Sequence, residues 1–142
     1  MPTEEHIIEI FEYLSRKIYN NNVEHGWWDN EDADALVEIA REIPEGGEEI
    51  VYEIARKMRA RNDGELIALM HSELSEALEF LRKGNKPSDH IPEFLGVEEE
   101  FADVIIRIMD MAHRRGYRLA PAILAKMQFN ESRPYKHGGK RF

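Results

Sequence analysis

The sequence predicts an all-α protein, a bundle of antiparallel helices, on three observations. Apolar residues recur at three- and four-residue spacing along most of the chain. Clusters of glycine, proline and asparagine cut that pattern into helix-length pieces. No stretch shows the period-two alternation of a half-buried strand. With 142 residues the chain reads as one domain, 1–142, with 32–60 as an inserted or lengthened helical pair and 132–142 as a basic tail.

Taken in order, Thr3 is placed to cap a first helix whose Ile7, Phe11, Leu14 and Ile18 share one side, and Asn20, Asn21 and Asn22 followed by Gly26 end it. Trp27-Trp28-Asp29 falls in the connection. A second helix is expected from about Asp32 to Ile43, stopped by Pro44 and Gly46-Gly47, and a third from about Glu48 to Arg61. Asn62-Asp63-Gly64 breaks the chain before a strongly periodic helix from Glu65 to Lys83, which Gly84 ends. The stretch 85–96, with Pro87 and Pro92, reads as a loop. A fifth helix follows from about Val97 to Arg115, with Gly116 at its end, and Pro121 suits the first turn of a last helix through Asn130 because its missing N–H is not needed there.

Composition narrows the function classes. The chain is 42% hydrophobic and 33% charged, without an apolar run of about 18 residues, which fits neither disorder nor a membrane span. The opening Met-Pro-Thr-Glu-Glu lacks a basic, apolar leader, so a cytoplasmic address is expected. No cysteine is present, which removes disulfides, thiolate metal sites and thiol nucleophiles. Up to Ala112 there are 11 basic and 27 acidic residues, whereas from His113 onward there are 8 basic residues and Glu131 alone is acidic. An acidic body argues against a nucleic-acid groove and suits a cation site.

On a wheel at roughly 100° per residue, Leu66, Leu69, Met70, Leu74, Ala77, Phe80 and Leu81 form one arc; Glu73 falls inside it and Glu76 at its edge. A carboxylate facing apolar surroundings must pair with a cation, ligate a metal or take up a proton. A salt bridge to an arginine of a neighbouring helix is the plain reading of Glu73 alone. On the fifth helix, Glu100 borders the apolar stripe of Phe101, Val104, Ile105 and Ile108, and Asp103 follows at the same three-residue spacing; taken singly, Asp103 fits a solvated face equally well. Antiparallel packing would bring the two acidic pairs together, where like charges need a cation. Oxygen-only ligands favour Mg²⁺ or Mn²⁺ over zinc or di-iron, for which Asp110-x-x-His113 is a single partial match.

The pairs Glu73-Leu74-Ser75-Glu76 and Glu100-Phe101-Ala102-Asp103, with Arg61-Asn62-Asp63-Gly64-Glu65 ahead of them and Lys126, Asn130 and Arg133-Pro134-Tyr135-Lys136 behind, resemble the MazG-like all-α nucleoside triphosphate pyrophosphohydrolases over about residues 62–141. The resemblance implies Mg²⁺-dependent hydrolysis between the α and β phosphates, giving monophosphate and pyrophosphate. Glu73, Glu76, Glu100 and Asp103 would hold the metal; of the two carboxylates read as catalytic, Glu73 and Glu76, the place of Glu76 at the edge of the apolar arc marks it as the acceptor of the attacking water's proton. It also implies a homodimer or homotetramer, which an amphipathic bundle this thin would need to gain core.

The basic end agrees with a triphosphate: Lys126 and Asn130 lie one turn apart, and Arg133 and Lys136 follow as further phosphate donors. A cationic tail docked on the acidic body is the alternative. Trp27 and Trp28 suit either packing or base stacking. Two competing functions remain, a phosphoribosyl-ATP pyrophosphohydrolase on the same fold and a non-catalytic scaffold that keeps the metal-binding acids.

Overall fold

The computed structural model describes residues 2–29, 31–43, 48–59 and 62–133. The break expected at 44–47, Arg61 and the tail from residue 134 onward, Lys136 included, lie outside the described residues. Among the described residues six helices follow one another: α1 (Glu4–Glu24), α2 (Glu31–Ala40), α3 (Glu48–Arg59), α4 (Asp63–Arg82), α5 (Gly96–Arg115) and α6 (Leu119–Glu131). Among the described residues there is no strand, only an isolated bridge between Pro87 and Leu95 in the α4–α5 loop. Among the described residues no helix is long and apolar enough to cross a membrane.

The helix ends follow local chemistry. The Thr3 hydroxyl accepts the His6 amide and the Asn62 side chain accepts the Gly64 amide, each satisfying a donor left over at a helix start. The Glu98 carboxylate accepts the Leu95 amide at 2.7 Å, fixing the first turn of α5 and so the setting of Glu100. Gly116 closes α5 in the left-handed region, at φ 69°. The asparagines expected to end α1 lie inside it; the chain turns only at Gly26, where φ is 74°. Asparagine is merely a weak helix former, whereas a positive φ is where glycine is needed.

α4 and α5 pack antiparallel. Phe80 lies against Gly96, Glu73 pairs with Arg107 and Asp63 with Arg115, so partner numbers rise on one helix as they fall on the other. A Cβ at position 96 would collide with the Phe80 ring, so the glycine sets how closely α5 begins against α4. α1 packs on α5 as well and runs in the same direction: the Ser15 hydroxyl donates to the Met109 carbonyl at 2.8 Å, and one turn later the Tyr19 ring lies 4.8 Å from that of His113. The expected antiparallel order therefore fails for this pair, because two helices and a third long one intervene in sequence and leave the direction of α1 unconstrained by a short loop. α6 packs back on α1, where Gln128 donates to Glu4 at 3.0 Å. α2 and α3 pack chiefly against each other, and buried Ala33, Ala40 and Ala55 allow the close approach.

Among the described residues Met109 is the one large side chain that is fully buried. Leu74, Leu81, Phe101, Ile105 and Ile108, expected in the core, are exposed. Among the described residues, neither α4 nor α1 covers the side of α5 that carries Phe101 and Ile105. Ile67, Leu74, Leu78 and Leu81 lie roughly 80–140° ahead of Glu73 on α4, and Phe101, Ile105 and Ile108 lie about the same angle ahead of Glu100 on α5. The two helices run in opposite directions and face each other through those glutamates, so both stripes emerge on one side of the pair as a single apolar face.

Candidate metal centre and adjoining cavity

Three of the four expected metal ligands converge. Glu73 and Glu76, one turn apart on α4, meet Glu100 of α5, and one carboxylate oxygen from each lies within 4.8 Å of the other two. Glu73 and Glu100 are 7% and 6% exposed, whereas Glu76 faces solvent. Asp103, expected as the fourth ligand, does not join that set. It lies one turn further along α5 and lines the adjoining cavity.

Charge is balanced unevenly across the cluster. Arg107, on α5, donates from Nε at 2.7 Å to Oε1 of Glu73, and its Nη2 lies 2.6 Å from the same oxygen. Among the described residues no such guanidinium contact is made to Glu100. Burial, followed by the charges of Glu76, Glu73 and Asp103 and a hydrogen bond shared with Glu73, pushes its carboxyl up to about 7. The Asp103 carboxyl is raised too, by burial first and then by Glu73 and Glu99, with Arg107 and His90 acting in the opposite direction.

The donor set fits a hard divalent ion. An octahedral Mg²⁺ holds opposite oxygen ligands about 4.2 Å apart, and Ca²⁺ somewhat more, so oxygens within 4.8 Å of one another span such a sphere with small side-chain adjustment. Three carboxylates and no nitrogen or sulfur are ligands for Mg²⁺ or Mn²⁺.

A cavity of about 360 Å³ opens beside this cluster, between α4, α5 and the end of α1. Leu66, Leu69, Met70, Ile106 and Met111 give it an apolar floor, Asn21, Asn22 and His25 a polar rim, and Trp27, Asp103 and Arg107 stand on the side of the carboxylates. Its size is that of small-ligand pockets. The two tryptophans differ. Trp28 is tied in, its Nε1 donating to Asp110 Oδ1 at 3.2 Å while Arg114 lies 5.3 Å from its ring. Trp27 is 49% exposed, with the Arg107 guanidinium 5.3 Å from the ring centroid.

Among the described residues of the basic chain end, Lys126, Asn130 and Arg133 are not brought to the carboxylates. Lys126 and Asn130 lie on α6, which packs on α1, and Arg133 just beyond it; none lines the cavity, and Lys126 Nζ rests 4.5 Å from the Phe129 ring. Lys136 lies outside the described residues. Reading by residue type did not place Arg107, Asn21, Asn22 or His25 at the site. The signal for Arg107 was present, since seven residues past Glu100 returns to the same face of the helix. The rim residues of α1 had none, because their place depends on the direction of α1. Comparison with protein-family models, curated proteins and solved structures found no match for the chain.

Proposed function

We propose that the chain hydrolyses nucleoside triphosphates between the α and β phosphates, releasing monophosphate and pyrophosphate, with Mg²⁺ held by Glu73, Glu76 and Glu100. The observation that carries this reading is the juxtaposition of three carboxylates within 4.8 Å of one another and a 360 Å³ cavity with an exposed tryptophan at its edge. Mg²⁺ held there supplies Lewis-acid polarisation of the phosphate oxygens and a water activated near neutral pH. Glu76, exposed at the rim of the cluster, accepts the proton of the attacking water. Asp103, one turn further along α5, lines the cavity wall beside the carboxylates. The base enters the cavity against Trp27.

Self-association belongs to the same reading. The chain exposes 11210 Å² where a compact monomer of its mass exposes about 7600 Å², and a second copy on the apolar α4–α5 face would remove part of that excess. Lys126, Asn130 and Arg133 lie on the α1 side of this protomer, so as triphosphate ligands they enter the proposal only from a neighbouring copy. One observation favours the non-catalytic scaffold: Glu73 already has a cation in Arg107. Product release from a panel of ribo- and deoxyribonucleoside triphosphates and phosphoribosyl-ATP, with and without Mg²⁺, separates these readings. Turnover that needs Mg²⁺ and is lost in E73Q and E100Q supports hydrolysis, and no turnover of any member supports the scaffold.

A further inference from the structure

Arg107 joins the two halves of the site. Its hydrogen bond from Nε and its Nη2 ion-pair contact both fall on one carboxylate oxygen of Glu73, Oε1, its guanidinium lies 5.3 Å from the Trp27 ring, and its side chain, 24% exposed, lines the cavity. Glu73 also belongs to the three-carboxylate cluster. A divalent ion taking Glu73 meets a guanidinium on the same group, and like charges at that range repel. Once displaced, the guanidinium stays tethered at the cavity wall, where its forked donors match the geometry of phosphate oxygens.

We propose, resting on the metal reading above, that Arg107 is a built-in counter-cation: it neutralises Glu73 while the ion is absent and, when the ion takes Glu73, transfers its donors to the triphosphate. The exchange keeps the buried carboxylate paired in both states. It also makes the arginine a competitor of the metal and a ligand of the nucleotide. A purely structural ion pair would be neither.

The test is calorimetric titration of Mn²⁺, and then of a non-hydrolysable α,β-methylene nucleoside triphosphate, into the wild type, R107Q, R107K and R115Q. R115Q removes the other α4–α5 ion pair, that of Arg115 with Asp63, and serves as the structural control. R107Q is expected to melt lower without metal yet bind Mn²⁺ about tenfold more tightly, the equivalent of losing one charged hydrogen-bond competitor. Its Mn²⁺ form is expected to bind the triphosphate at least tenfold more weakly. R107K keeps the charge without the fork and is expected between the two, and it carries the test should R107Q not fold. R115Q is expected to melt lower with Mn²⁺ affinity unchanged. Unchanged or weaker Mn²⁺ binding by R107Q, with saturable binding by the wild type, overturns the role of Arg107 and leaves the metal site standing. Binding by R107Q alone supports competition, and binding by neither variant nor wild type removes both readings.

Discussion

Glu73 and Glu100 meet across the α4–α5 interface, both buried; the first is held by Arg107, and the second is pushed up to about 7. That asymmetry gives the ion-free protein a specific electrical state. One carboxylate is paired, one is exposed at Glu76, and the third holds its proton near neutrality.

A consequence is a pH dependence of stability. The Glu100 carboxyl ionises near 4.5 in the unfolded chain and near 7 in the fold, so between those values the folded state binds more protons. Stability contributed by this group is full below about 4.5 and lost as pH rises towards and through 7, a span of about 3 kcal/mol. Denaturant unfolding of the metal-free protein should show this decline, and Glu100→Gln should flatten it while stabilising the protein at pH 8. A wild-type profile that rises from pH 5 to 8 would count against the buried, crowded Glu100.

Divalent metal should oppose that decline. An ion bound only by the native state adds about 2.7 kcal/mol at a hundredfold excess over its dissociation constant, and it relieves repulsion most where Glu100 is ionised. The melting temperature should rise with Mg²⁺ or Mn²⁺, more at pH 8 than at pH 5, and Glu73→Gln combined with Glu100→Gln should abolish the rise. Thermal melts with and without EDTA measure both.

The two tryptophans should separate in function. Trp28→Phe removes the Nε1 bond to Asp110 and leaves that acceptor short of a donor, costing about 1–3 kcal/mol of stability. Trp27→Ala, at a half-exposed position, should cost less stability and weaken nucleotide affinity about tenfold, in keeping with the loss of one stacked base of about 1–3 kcal/mol. Melting curves and fluorescence titration with a nucleotide distinguish the pair; equal effects of both changes on both measurements would assign Trp27 to packing.

The sequence announced the helices whose ends carry local chemistry. Asn62 caps α4 and Gly116 closes α5 through groups within a few residues, so no tertiary information was needed. The acidic pairs were legible for the same reason, since a three-residue spacing puts Glu73 beside Glu76 on any helix. What depended on neighbours was not legible. A wheel shows that Leu74 and Ile105 are apolar and share an arc with the core, but only the placement of the neighbouring helices leaves them uncovered. The pairing of Arg107 with Glu73 needed the α4–α5 register, and the polar rim from Asn21 to His25 needed the direction of α1.

Exposed Leu74, Leu78, Phe101 and Ile105 make one face, and covering it with a second copy should make the protein a dimer or larger. Light scattering of the wild type should give at least twice the monomer mass. Leu78→Lys with Ile105→Asp, which places charges on that face without touching the carboxylates, should shift the population towards monomer. A monomeric wild type at tens of micromolar would remove the second copy.

The reaction itself is tested most directly by ³¹P NMR of a nucleoside triphosphate incubated with the protein and Mg²⁺ in H₂¹⁸O. The three carboxylates and their cavity predict monophosphate and pyrophosphate, with ¹⁸O in one of the two products and no turnover in Glu73→Gln. Diphosphate and orthophosphate, or no turnover of any nucleotide by a protein that binds Mg²⁺, would contradict it.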